Sequence, residues 1–208
     1  MLVQIYEISS PEGARALAEL GVDHIGVLVG DGSFPREQSI DRARIIFSAI
    51  PSSCKGVALS LSADLRLIEH IVAELKPSIL HLGASTDLLT PAMVQGLKTR
   101  CGGFALMRSV PVCGNESLAI ARSYDGIADM LLLDSHRPGD VQIGALGVTH
   151  SWQIDRTIAE NVNVPVIIAG GLGRTTSLTP LERRGRPAST RNRGRTKTMA
   201  ATQKTCKR

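Results

Sequence analysis

The feature that most limits what this chain can become is an alternation. A short, almost wholly apolar run is followed by a stretch of helical periodicity, and the pair recurs about every 25 residues from Leu2 to Gly171. The apolar runs predict strands at Leu2–Ile8, His24–Val29, Lys55–Leu61, Ser78–Leu82, Phe104–Arg108, Met130–Leu133 and Val164–Ala169. Helices are predicted at Pro11–Leu20, Ser39–Ile50, Ala63–Leu75, Pro91–Lys98, Glu116–Tyr124 and Trp152–Glu160. Ser10 can cap the first helix, Pro11 suits its first position, and Gly21 can end it. Strands that are apolar on both sides belong to parallel sheets covered by helices. Two α/β architectures satisfy that pattern, an open doubly wound sheet and a closed (β/α)8 TIM barrel. No unit carries a GxGxxG turn, which favours the barrel.

Composition narrows the classes further. Hydrophobic residues make up 43% of the chain and aromatics 3%, so a core must be built from Leu, Ile, Val and Ala. No run approaches the roughly 20 apolar residues of a membrane span, and Met1-Leu-Val-Gln-Ile5 lacks the basic stretch of a signal peptide, so a cytoplasmic location is expected. Cys54, Cys101, Cys113 and Cys206 form no CxxC pair and are read as reduced thiols. His136 and His150 follow Asp134 without metal-site spacing and are read as solvated loop residues, with no metal expected. His24, His70 and His81 are expected in or beside packed elements.

The charge is uneven. From Gly173 onward there are 11 Lys and Arg against a single acid, Glu182. Such a tail could be a nucleic-acid arm, but it holds no aromatic residue for stacking. It also lacks amphipathic pattern.

In a barrel, chemistry sits where the strands end. Those ends carry Tyr6-Glu7, Arg108, Asp134 and Gly170-Gly171. An Arg there can grip a carboxylate or phosphate or make a structural ion pair. An Asp can exchange protons or cap a loop. A double glycine can offer backbone N–H groups to an anion or simply turn the chain.

Taken in order, several stretches resemble phosphoribosylanthranilate isomerase, a (β/α)8-barrel family of tryptophan biosynthesis. They are Ile8-Ser-Ser-Pro-Glu12, Gly21-Val-Asp-His-Ile-Gly26, Phe34-Pro-Arg36, Leu131-Leu-Leu-Asp-Ser135, the run from Ile143 to Trp152, and Pro165-Val-Ile-Ile-Ala-Gly-Gly-Leu172. The resemblance implies an Amadori rearrangement of a phosphorylated sugar amine, with no organic cofactor and no metal. It implies Asp134 as general acid, Arg36 on the substrate carboxylate, Gly170 and Gly171 on the phosphate, and Arg108 in substrate binding.

The chain departs from the family pattern twice. The family has Lys-Ile-Cys-Gly-Ile-Thr on strand one, where the cysteine is the base; here the stretch is Gln4-Ile5-Tyr6-Glu7-Ile8-Ser9. Tyr6 takes the catalytic position, although a phenol with a pKa of about 10 is a weak base at neutral pH. Glu7 could take the base's role instead, but it is expected to face away, because successive strand residues point to opposite sides. After Leu172 the family's last helices and eighth strand do not follow. Shifting the reading frame across Arg174–Ser177 permits Pro-Asp-Asn-Val, and the same shift across Pro187–Thr190 permits Gly-Val-Asp, both family motifs. The expectation is therefore a barrel domain over residues 1–172 with about seven βα units and its eighth strand missing. Residues 173–208 are expected to be a disordered tail of out-of-frame origin, with no nucleic-acid or membrane partner. Open barrel edges are expected to favour self-association. An inactive or changed-substrate barrel is the alternative to an isomerase.

Overall fold

The computed structural model describes residues 2–114, 116–144, 146–148, 150–171 and 198–200. Its strands are β1 (Gln4–Ile5), β2 (His24–Leu28), β3 (Lys55–Ser60), β4 (Ile79–Leu82), β5 (Ala105–Val112), β6 (Met130–Ser135), β7 (Val166–Ile168) and β8 (Thr198–Ala200). The helices are α1 (Pro11–Glu19), α2 (Ile40–Ser48), α3 (Leu65–Leu75), α4 (Pro91–Arg100), α5 (Ser117–Tyr124) and α6 (Trp152–Asn161). One helix follows each strand from β1 to β6, so the predicted βα rhythm holds through β7.

The strands form one sheet in sequence order, every neighbouring pair parallel. That order is the βα-barrel order, in which each crossover returns the chain beside its last strand. Among the described residues no ladder joins β8 to β1, so the described sheet is open between them. Where the sequence suggests no eighth strand, Thr198–Ala200 pairs with Val166–Ile168 over three residues. The remainder of the expected tail lies outside the described residues.

Side-chain alternation sorts each strand into two faces. Ile25, Val27, Leu80, Leu82, Leu106, Val110, Leu131 and Leu133 face outward and pack under the helices. Tyr6, Leu28, Val57, Leu59, Ile79, Met107, Leu132 and Ile167 face inward and fill the barrel. The helices start where their caps dictate: Ser10, Ser39 and Thr90 accept bonds from backbone N–H groups three residues on. Pro11 is the first residue of α1, and Gly21 follows its end at φ 78°. No helix among the described residues is long and apolar enough to cross a membrane.

Candidate functional site

The C-terminal strand ends surround a cavity of about 200 Å³ whose polar lining includes Tyr6, Glu7, Arg36, His81, Ser109 and Asp134. Leu28, Leu59, Leu132 and Ala169 form its apolar walls. Tyr6, Arg36 and Asp134, distant in sequence, are thus brought together as expected of one site.

Asp134 stands at the end of β6, 3% exposed, with its Oδ1 accepting the Ser135 backbone N–H at 2.7 Å. Two glycines make room for its carboxylate. A Cβ on Gly144 would come within 2.3 Å of Oδ2, and one on Gly170 within 2.6 Å of Oδ1. Both glycines have left-handed backbones, φ 95° and 82°, and Gly171 follows at 60°. These turns accept glycine for two reasons at once, space and conformation.

Arg36 reaches the cavity from the loop after β2, and a neighbouring carboxylate builds that loop. Glu37 Oε2 accepts the N–H groups of Gly32 and Phe34 at 3.0 and 3.2 Å. Arg36 itself has φ 70°. Its Nη1 donates to Glu7 Oε2 at 2.6 Å.

That contact corrects the expectation for Glu7. β1 ends at Ile5, so strand alternation no longer governs the residue two positions on. Glu7 adopts φ 64°, at the place where the family pattern has glycine, and the left-handed turn swings its carboxylate into the cavity beside Tyr6. A non-glycine residue holds that conformation at a cost of about 1–2 kcal/mol.

Tyr6 is the centre of a polar chain through the barrel. Gln4 Nε2 donates to its hydroxyl at 2.7 Å, and the hydroxyl meets His81 Nδ1 at 2.5 Å. His81 Nε2 meets Ser109 Oγ at 2.8 Å, and Gln4 Oε1 meets His24 Nδ1 at 2.8 Å. The amide oxygen of Gln4 can only accept, so His24 Nδ1 carries a proton. Tyr6 Oη accepts from Gln4 and gives its own proton to His81 Nδ1, a better acceptor than the Met107 thioether 3.5 Å away. His81 Nε2–H then donates to Ser109. Burial, helped by the positive charge of Arg108, lowers the His81 pKa to about 3, so its ring is neutral. Burial and the negative charge of Asp134 push the Tyr6 phenol well above its usual range, against a smaller opposing effect of the Gln4 bond. Tyr6 is therefore a protonated hydrogen-bonding residue, unsuited to serve as the base. A polar residue inside the apolar run Ile79-Leu-His-Leu82 was the available signal for His81.

The ring of Tyr6 fits because residue 26 is glycine. A Cβ there would lie 2.2 Å from Tyr6 Cδ1 and 2.6 Å from Cε1. Gly26→Ala is expected to destabilise the fold by about 1–3 kcal/mol, and adding Tyr6→Cys should recover most of the loss. Urea unfolding of the single and double variants checks this; equal losses in both would show that the ring is not the obstacle.

Two sequence readings are revised. Arg108 does not reach the cavity. Alternation along β5 turns it outward, where it is fully buried, with Nη1 donating to the carbonyls of Leu82 and Ala84 at 2.8 Å each. Its guanidinium lies 5.0 Å from the centre of the Tyr124 ring. It ties the end of β4 to the helical layer rather than binding substrate or pairing with a carboxylate. His150 is not solvated either. Its side chain is 4% exposed, its Nε2 meets both oxygens of Asp155 at 2.9 Å, and its ring packs near Trp152. His136 meets the Gln142 carbonyl at 3.2 Å. Among the described residues no group of three or more His, Cys, Asp or Glu could hold a metal ion.

Comparison with known proteins adds names to this geometry. No family model matches the chain. The N-(5'-phosphoribosyl)anthranilate isomerase of Methanocella arvoryzae is 32% identical over 170 residues, covering 82% of this chain and 77% of that protein. The protein of the same name from Rhodopseudomonas palustris strain TIE-1 is 30% identical over 172 residues, covering 82% and 78%. The crystal structure of phosphoribosyl anthranilate isomerase from Thermus thermophilus superposes with a TM-score of 0.70 at 20% identity, over 97% of this chain and 86% of that one. A phosphoribosyl anthranilate isomerase in complex with reduced 1-(o-carboxyphenylamino)-1-deoxyribulose 5-phosphate gives 0.68 at 16% identity, over 97% and 87%.

Proposed function

This chain belongs to the phosphoribosylanthranilate isomerase family, and on that premise we propose that it catalyses the Amadori rearrangement of N-(5-phosphoribosyl)anthranilate. The observation that carries the reading is the convergence of Asp134 and Arg36 on one cavity at the C-terminal strand ends. Asp134 protonates the furanose ring oxygen, and its buried carboxyl, held by the Ser135 N–H between two glycines, is fixed for that transfer. Arg36 receives the anthranilate carboxylate through its guanidinium fork. Gly170 and Gly171 take the phosphate on backbone N–H groups, an assignment that rests on the family resemblance and their left-handed turns. The catalytic domain is residues 1–172. The resemblance implies neither metal nor organic cofactor.

One observation favours a second reading. The family's cysteine is replaced by a phenol that burial keeps protonated. On that reading the barrel binds a phosphorylated sugar amine without turning it over.

The test is to mix the full chain with N-(5-phosphoribosyl)anthranilate and follow formation of the ribulose product, and separately to titrate the reduced product analogue. Turnover supports the isomerase. Binding without turnover supports the second reading, and neither result sinks both.

A further inference from the structure

We propose that Glu7 is the base of this site, taking over the role of the missing cysteine from the next position along, and that Arg36 keeps it latched until substrate arrives. The proposal rests on the isomerase reading and deepens it.

The reaction needs two proton-exchanging groups. Among the described lining residues the titratable side chains are Tyr6, Glu7, Arg36, His81 and Asp134. Tyr6 is a phenol held in its protonated form, with its hydroxyl engaged by Gln4 and His81. His81 spends both ring nitrogens on Tyr6 and Ser109. The guanidinium of Arg36 offers donors only and no acceptor lone pair. His150 has a buried Nδ1 with no hydrogen-bond partner, but it does not line the cavity. With Asp134 taken as the acid, Glu7 is the remaining carboxylate. It sits at the end of β1 and Asp134 at the end of β6, with four strands between them around the barrel. A base and an acid acting on neighbouring atoms of one sugar need that separation of directions.

The backbone supports a functional reason for Glu7. A glutamate at φ 64° occupies a conformation that suits glycine, and in return its carboxylate enters the cavity. Its partner Arg36 shows the same left-handed strain at φ 70°. The pair connects the end of β1 to the loop after β2.

The step balances within the substrate. Asp134 gives its proton to the ring oxygen, the C1–O bond breaks, and the nitrogen becomes an iminium. Glu7 removes the proton from C2, and the C–H electron pair forms the C1=C2 bond and neutralises the nitrogen. The enolamine then tautomerises to the ketone, with the O2 proton released and C1 protonated. The anthranilate carboxylate competes with Glu7 for Arg36. Docking therefore loosens the ion pair and frees the base when its substrate is present.

This competition gives a signature that mere structural support does not. Glu7→Gln in the full chain is expected to lower kcat by about 10²- to 10⁴-fold. The same change should tighten binding of the reduced product analogue by about two- to fivefold, because the carboxylate that competes for the half-exposed Arg36 is removed. Glu7→Asp should recover part of kcat, while Glu7→Gly, which relieves the left-handed backbone, should fold at least as well as Glu7→Gln and stay inactive. Circular dichroism confirms the folding of each variant. A Glu7→Gln protein that turns over within threefold of the unaltered chain overturns the base while leaving the isomerase reading intact. So does a lowered kcat accompanied by weaker analogue binding. An unaltered chain that binds the analogue without turnover also overturns the base. A chain that neither binds nor turns over removes the functional reading itself.

Discussion

Asp134→Asn is expected to lower kcat by about a thousandfold, close to 4 kcal/mol of lost transition-state stabilisation, with analogue binding kept within a few-fold. Asparagine has the shape of the aspartate it replaces. Its amide oxygen can still accept the Ser135 N–H now held at 2.7 Å, and it fits between Gly144 and Gly170 where a larger side chain would not. What it lacks is a proton to give to the ring oxygen. A change that removes only a transition-state interaction lowers kcat and kcat/KM together and leaves binding alone. Steady-state kinetics beside calorimetric titration of the reduced analogue separate the cases. If kcat stays within tenfold of the parent, Asp134 is not the acid; if binding is lost at unchanged kcat, it is a ligand-holding residue only. The charge change also reaches Tyr6, since Asp134 is one of the two causes that raise the phenol. In Asp134→Asn the Tyr6 pKa should fall toward its ordinary value, though burial, the larger cause, remains. That shift, read from the phenol's ultraviolet absorbance at alkaline pH, reports the cavity's electrostatics independently of turnover.

The fold was legible because barrel strands must be apolar on both faces, and that leaves an unmistakable run such as Met130-Leu-Leu-Leu133. Caps at Ser10 and Pro11 marked a helix start for reasons local to the chain. Asp134's place at the cavity was legible for the opposite reason: it is an acid that ends such a run, where a barrel strand opens at the mouth. What escaped the sequence depended on where a strand stops. β5 was expected to end at Arg108, which would have put that arginine at the mouth; it runs on to Val112, and alternation turns Arg108 outward under Tyr124. β1 was expected to reach Ile8; it ends at Ile5, and the freed backbone turns Glu7 inward. One strand end set too early and one too late thus misplaced two charged residues. His81 interrupts an apolar run, which marks it as unusual, but its partners, like the role of Ser109, are pairwise and emerge only when the sheet register brings His81 beside Met107 and the polar chain closes.

The polar chain makes the fold's stability depend on pH at both ends of the scale, with the Tyr6–His81 contact at its centre. His81 titrates near 3 in the folded barrel but near 6.5 in the unfolded chain. A depressed folded pKa means that unfolded chains bind the proton first. The stabilisation is thus complete above pH 6.5, and it is lost as pH falls from there toward 3, at about 1.4 kcal/mol per pH unit. Burial shifts His24 in the same direction, adding to the acid limb. Tyr6 works in the opposite sense. Its folded pKa lies well above 10, so unfolded chains lose the phenolic proton first. Stability is complete below pH 10 and falls as pH rises beyond it, again by about 1.4 kcal/mol per unit. The limbs can be assigned by substitution. His81→Gln keeps a hydrogen-bonding side chain without a titrating group, and the slope of unfolding free energy between pH 4 and 6, where only the unfolded chain carries the His81 proton, should become shallower by about 1.4 kcal/mol per unit. Tyr6→Phe should flatten the limb above pH 10 and leave the acid one. Urea unfolding across the pH range gives both slopes. An acid slope that is the same with and without the histidine would mean that surface carboxylates govern acid unfolding, and that the buried Tyr6–His81 contact, though neutral and well bonded, is not what acid breaks.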